Sequence, residues 1–190
     1  MKIIGRKTLW EGRFLRIALL DYEDSHGISR QWEVAERTTS EGVVIIAAIT
    51  SDMRLILIRQ YRPALDSYII ELPAGLIDRG ESPADACRRE LIEETGHAAD
   101  SVTALSGGVI STGVLTENWH VMLAPGVRPA TTDELSAHPP DETENIEVMY
   151  LNMESAHEKL RALEAEGAKV DIRIYGIIEL ARRELKGQEA

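Results

Sequence analysis

Residues 75–96 read Gly75-Leu76-Ile77-Asp78-Arg79-Gly80-Glu81, then seven residues, then Arg89-Glu90-Leu91-Ile92-Glu93-Glu94-Thr95-Gly96. On a helix, positions 90, 93 and 94 fall at i, i+3 and i+4, so three carboxylates gather within about 6 Å of one another. Such repulsion is tolerated on a solvated face, where water and salt screen it, and it becomes useful around a hard divalent cation. All-oxygen ligation favours Mg²⁺ or Mn²⁺ over zinc. The plain alternative is a solvated acidic helix face, which is what charge runs usually are. His26, His97, His120, His138 and His157 show no paired ligand spacing, and the single cysteine, Cys87, falls in an apolar helical stripe. A zinc or cysteine-based hydrolase is therefore set aside.

The helix that must carry these acids is marked at both ends. Ser82-Pro83-Ala84-Asp85 combines an N-cap hydroxyl, proline at the first helical position and a carboxylate at the third. Gly96 stands where a C-terminal glycine belongs. Ala84, Cys87, Leu91 and Thr95 form the expected buried stripe, leaving Arg89, Glu90, Glu93 and Glu94 on an exposed side. Cys87 reads as a small core residue.

Around this helix, residues 43–49 form a continuously apolar β-branched run, as expected of a central strand. Residues 8–37 alternate loosely about the polar turn Asp24-Ser25-His26-Gly27 and predict a twisted hairpin. The turn cluster 38–42 places a subdomain boundary near residue 39, dividing the chain into residues 1–39 and 40–190. Further strands are expected at 55–58, 68–72, 102–109, 119–123 and 146–151, and helices at 154–166 and 171–186. The last helix turns Ile174, Ile177, Ile178 and Ala181 inward. The proline-rich stretch 124–143 is expected to be a long loop. This is a mixed α/β layered fold.

Composition narrows the partners. The 190 residues hold 21 Lys and Arg against 32 Asp and Glu, a net charge of −11, with 44% hydrophobic residues. A chain of that length buries about 70% of its unfolded surface as one compact domain or one with a small appendage. The acidic excess and the lack of a basic run argue against nucleic acid, so an anionic ligand needs a metal or a local arginine cluster. The chain has no apolar run of about 18 residues, which argues against a membrane partner, and its lone cysteine fits a reducing cytoplasm.

The eight positions Gly75, Glu81, Arg89, Glu90, Leu91, Glu93, Glu94 and Gly96 match in register the signature of the Nudix hydrolases, which this chain resembles. Only His97 departs, standing where an aliphatic residue is usual, and it touches packing behind the loop more than the metal ligands. Gln60-Tyr61-Arg62-Pro63, Glu71-Leu72-Pro73-Ala74-Gly75 and Val170-Asp171-Ile172-Arg173-Ile174-Tyr175 extend the resemblance to the ADP-sugar pyrophosphatase branch. It implies a Nudix-type α/β/α sandwich with a mixed sheet, plus a small N-terminal antiparallel β subdomain for dimerisation and base binding.

The resemblance also implies roles. The Ala74 carbonyl with Glu90 and Glu94 would hold the cations, Glu93 would join them or organise their water, and Glu81 and Arg89 would brace loop and helix. Phe14 and Trp32 match the two rings that sandwich adenine in a homodimer whose N-terminal strands cross to the partner. Arg37 and Arg62 match positions gripping the diphosphate or base, with Arg59 a weaker candidate; guanidinium forks suit phosphate oxygens. Glu144 matches the general base, and Glu142 is its neighbour. Glu117 is a candidate contact to the terminal sugar or a cation. The implied reaction is Mg²⁺-dependent hydrolysis of a nucleoside diphosphate sugar, ADP-ribose giving AMP and ribose 5-phosphate. Ser111-Thr112-Gly113 carries threonine where relatives preferring ADP-ribose often have proline, which leaves GDP-mannose or another derivative open. A catalytically silent nucleotide-sensing module is the alternative of a different class.

Overall fold

The computed structural model describes residues 1–141 and 144–188. The first three strands, β1 (Lys2–Glu11), β2 (Leu15–Glu23) and β3 (Ser29–Arg37), form their own antiparallel sheet. The expected hairpin is thus three strands. β1 is exposed along nearly its whole length, so it has no one-sided apolar alternation for sequence reading to detect. Its ties to the rest run through β3, where Ala35 bridges to Leu115 and the Trp32 indole N–H donates to the Gly113 carbonyl at 2.8 Å.

The main sheet is mixed. Its strands are β4 (Gly42–Thr50), β5 (Arg54–Arg62), β6 (Ser67–Glu71), β7 (Ala74–Ile77), β8 (His97–Ala98), β9 (Thr103–Gly108), β10 (Trp119–Pro129), β11 (Ile146–Asn152) and β12 (Lys169–Val170). The spine of the sheet runs β12-β6-β5-β4-β10-β8, with β11 on β5, β7 on β4 and β9 on β10. β4 pairs parallel with β10 and β12 parallel with β6, whereas the remaining pairings are antiparallel. Every residue of β4 is buried, as the apolar run 43–49 predicts for a strand covered on both faces.

Helices cover both faces. On one side α1 (Pro83–Thr95) packs Ala86, Cys87 and Leu91 against Val44, Ile46, Ala48 and Ile56. On the other, α3 (Ala156–Ala165) and α4 (Arg173–Gln188) pack Leu160, Ile174, Ile177 and Ile178 against Ile45, Ala47, Leu55 and Leu57. The chain is thus an α/β/α sandwich.

α1 begins and ends as its sequence signals require. The Ser82 hydroxyl accepts from Asp85 N–H, and Gly96 takes the left-handed conformation at φ 66°. Its buried side is broader than the expected stripe. Cys87, Leu91 and Thr95 are buried as expected and Ala84 only partly, whereas Ala86, Ile92 and even Glu94, 7% exposed, lie inside as well. The expected long loop is also corrected: β10 runs on through Pro125 to Pro129, and α2 (Thr132–Ala137) follows, closed by a reciprocal capping box between Thr131 and Glu134.

Candidate active site

A cavity of about 580 Å³ opens between the two helical layers at the start of β4. Glu90, Glu93 and Glu94 of α1 line it together with Ala74, Gly75 and Leu76 of β7. Arg37, Arg62, Trp119 and Arg173 line it as well, with the exposed Asp141 and Glu144. Carboxylates and guanidiniums therefore line one space.

Arg89 organises the acids. Its Nε and Nη2 donate to the two Glu81 oxygens at 2.9 Å each, its Nη1 to Glu90 at 2.8 Å and Glu93 at 3.0 Å, and its Nη2 also to the Leu76 carbonyl at 2.9 Å. This fork ties the loop before α1 to the helix itself. Beside Arg89, the Glu81 carboxyl is held below the usual carboxylate range. Burial pushes Glu90 up to about 7 and Glu94 up to about 9, and in Glu94 it outweighs the bond accepted from Ala74 N–H at 2.9 Å. Glycine at position 75 leaves room for the Glu90 carboxyl: a Cβ there would stand 1.9 Å from it, so any larger residue must turn that carboxyl out of its place beside β7.

These residues fit a hard divalent cation. Burial raises the pKa of both Glu94 and the partly buried Glu90, so the one guanidinium beside them does not offset the charge they would carry together, and the donors are all oxygen. Among the described residues, no three His, Cys, Asp or Glu side chains yet converge on one point. Arg89 occupies one oxygen each of Glu90 and Glu93, and the Ala74 N–H one of Glu94. Glu90 Oε2 and Glu94 Oε1 stand outside these bonds.

The other expected residues divide. Arg62 and Arg37 line the cavity, Arg62 donating to Glu71 at 2.8 Å and Arg37 paired with Glu117. Glu117 stands behind Arg37, outside the cavity lining. Glu144 lines the cavity, and Glu142 is outside the described residues. Arg59 is drawn away, bonded to Glu147 at 3.1 Å and stacked on Tyr68 at 4.3 Å. His97 Nδ1–H donates to the Thr95 carbonyl at 2.8 Å, and the ring packs edge-on to Tyr150 behind the helix end.

Phe14 and Trp32 are not brought together in one chain. Phe14 precedes Leu15 on β2, and Trp32 on β3 lies opposite Leu20. Six residues along a strand is about 20 Å, far beyond the thickness of a base. Both rings are exposed and neither lines the cavity.

Two lining residues escaped sequence reading, Trp119 and Arg173. The Arg173 guanidinium lies 4.2 Å above the Trp119 ring. Nothing local in the sequence signals this contact between residues on β10 and α4.

Comparison with known proteins adds to this geometry. The NUDIX domain family model matches residues 39–171. The chain is 31% identical over 172 residues to the ADP-ribose pyrophosphatase of Bacillus subtilis (strain 168), covering 88% of this chain and 87% of that protein. It is 30% identical over 189 residues to the ADP-sugar pyrophosphatase of Mus musculus, covering 91% and 84%. A crystal structure of an ADP compounds hydrolase superposes with a TM-score of 0.76 at 27% identity, over 98% of this chain and 95% of that one.

Proposed function

Since this chain belongs to the NUDIX domain family, we propose that it hydrolyses the diphosphate bond of a nucleoside diphosphate sugar, with ADP-ribose, cleaved to AMP and ribose 5-phosphate, as its substrate. The observation that carries this reading is the cavity itself, which Glu90, Glu93, Glu94 and Glu144 line together with Arg37 and Arg62. Such a mixed site suits a substrate whose charge lies in its middle. The names of the relatives agree on the ADP moiety.

NUDIX hydrolases depend on divalent metals, and here Glu90, Glu94 and the Ala74 carbonyl would hold the ion, with Glu93 alongside. Mg²⁺ is the expected occupant and Mn²⁺ the substitute. Bound there, the cation supplies neutralisation of phosphate oxygens and a lowered pKa for water. Arg37 and Arg62 orient the diphosphate, each steadied by its own acid, Glu117 and Glu71. Arg89 keeps the acids in place. Glu144, exposed in the cavity lining, takes the proton of the attacking water as the bond between the two phosphorus atoms' bridging oxygen and the attacked phosphorus breaks. Glu142 is the neighbour that takes this role if Glu144 does not.

The base site is assembled from two chains, Trp32 of one and Phe14 of a second copy, because one chain holds its own pair about 20 Å apart. The apolar residues left exposed on β1, among them Ile3 at 60%, Ile4 at 51% and Trp10 at 57%, support a homodimer formed through this sheet. In the described residues no helix is long and apolar enough to cross a membrane.

The test is product release from ADP-ribose, ADP-glucose, GDP-mannose, NADH and diadenosine polyphosphates, with Mg²⁺ and with excess chelator. Preferred turnover of ADP-ribose that chelator abolishes is the expected result. Turnover that survives chelation, or silence across the panel with nucleotide still bound, would replace the reading, the latter with the sensor.

The cation site also predicts a dependence on pH. Because the folded protein raises the Glu90 and Glu94 pKa values above the ordinary 4.5, their protonated forms favour the fold, and that stability is lost as pH climbs through about 7 and about 9. A cation replaces the lost protons. The rise in Tm on saturating with Mg²⁺ is therefore expected to be larger at pH 9 than at pH 6, and a rise that is flat or larger at pH 6 would remove the ion from these two acids.

A further inference from the structure

The arginines already assigned to substrate are largely occupied by acids, Arg37 by Glu117 and Arg62 by Glu71. Arg173 is different. Its Nε and Nη2 hold Asp171, with Nε to Oδ2 at 2.8 Å, but among the described residues its buried Nη1 has no hydrogen-bond partner. The buried indole Nε1 of Trp119, the ring on which that guanidinium stacks at 4.2 Å, likewise has none among the described residues. Both residues line the cavity, and Trp119 lies on β10 beside Val43 of β4, which lines it too. Two orphaned donors in one stacked pair are costly unless something that visits the cavity satisfies them.

We propose that Trp119 Nε1–H and Arg173 Nη1–H form a two-donor subsite for a phosphoryl oxygen of the substrate, where the first residues of β10 and α4 line the cavity. The chemistry selects that ligand atom. An indole nitrogen and a guanidinium only donate, so a sugar hydroxyl, which must also place a proton, suits them less than a phosphoryl oxygen, which only accepts. Asp171 offsets the Arg173 charge, so what the pair adds is directed hydrogen bonding. The inference rests on the diphosphate reading above and adds residues to it.

The indole N–H reports on its own occupancy. The chain has three tryptophans, Trp10, Trp32 and Trp119, so an ¹⁵N-indole spectrum of the full chain holds three such resonances, and Trp119→Phe identifies one of them. That change keeps a ring under Arg173 and removes the donor. With Mg²⁺ present, the Trp119 resonance is expected to move downfield on adding AMP or ribose 5-phosphate. Movement with AMP assigns the subsite to the nucleotide's phosphate, and movement with ribose 5-phosphate to the sugar's. In turnover, Trp119→Phe and Arg173→Lys are expected to raise KM about tenfold with kcat within about threefold, as loss of uniform binding does. A Trp119 resonance unmoved by both products, or KM within about twofold of wild type in both variants at unchanged Tm, overturns the subsite. Should Trp119→Phe not fold, Arg173→Lys and the wild-type titration decide. A wild type that turns over nothing on the panel while its Trp119 resonance still moves would retire the hydrolase reading and keep the subsite.

Discussion

Glu94→Gln is expected to lower kcat by about 100-fold or more while leaving the cation-free protein as heat-stable as the wild type, or more so. The two halves of this result have one cause. Glu94 is 7% exposed, and burial pushes its pKa up to about 9, so near neutral pH the cation-free protein already holds it as the protonated acid. Glutamine has the shape of that acid and keeps an oxygen to accept the Ala74 N–H. What it cannot supply is the negative charge a divalent ion needs. Steady-state kinetics at saturating Mg²⁺, beside thermal melts with and without the ion, separate the effects: the melt without ion holds, and the upward shift with it shrinks. Wild-type turnover in this variant would move the cation away from Glu94, and a collapsed melt without ion would show that the charge is structural.

Arg89→Met should cost about 3 to 5 kcal/mol of folding stability, the usual penalty for removing one partner from a largely buried charge cluster. For a chain of this size that lowers Tm by roughly 6 to 20 °C. Arg89 is 20% exposed on its side chain and serves Glu81, Glu90, Glu93 and the Leu76 carbonyl at once, so its loss leaves three acids facing one another and a loop untied. Because Arg89 holds the Glu81 pKa below its ordinary 4.5, this contribution is present above that value and fades as pH falls through the lowered one. The deficit of the variant is therefore largest near neutrality and narrows in acid. A Tm within about 3 °C of wild type at pH 7 would mean that the fork is a surface ornament.

The parts of the site legible in the sequence are those whose chemistry is local. Ser82, Pro83, Asp85 and Gly96 mark the ends of α1, and within those ends the spacing of Arg89, Glu90, Glu93 and Glu94 sets their common side. Burial of Glu94 was not legible, because it comes from β7 and β4 closing over the helix, and an exposed acidic face was the expectation. α2 was hidden by the prolines around it, although Thr131 and Glu134 carry a capping-box signature. β1 was hidden because strands are recognised by one buried face, and within a single chain β1 has none. Trp119 and Arg173 meet only through the packing of α4 on the sheet, and no spacing rule reaches across that distance.

Cys87 sits on α1 two residues before Arg89, fully buried against the sheet, with burial pushing its thiol pKa up to about 12. A thiol reagent attacks thiolate and needs access, so in the closed protein this sulfur is inert on both counts. Its modification must wait for α1 to lift from β4. The rate of that labelling is consequently a clock for local opening of the helix that carries Glu90, Glu93 and Glu94, built into the wild-type chain without any added probe.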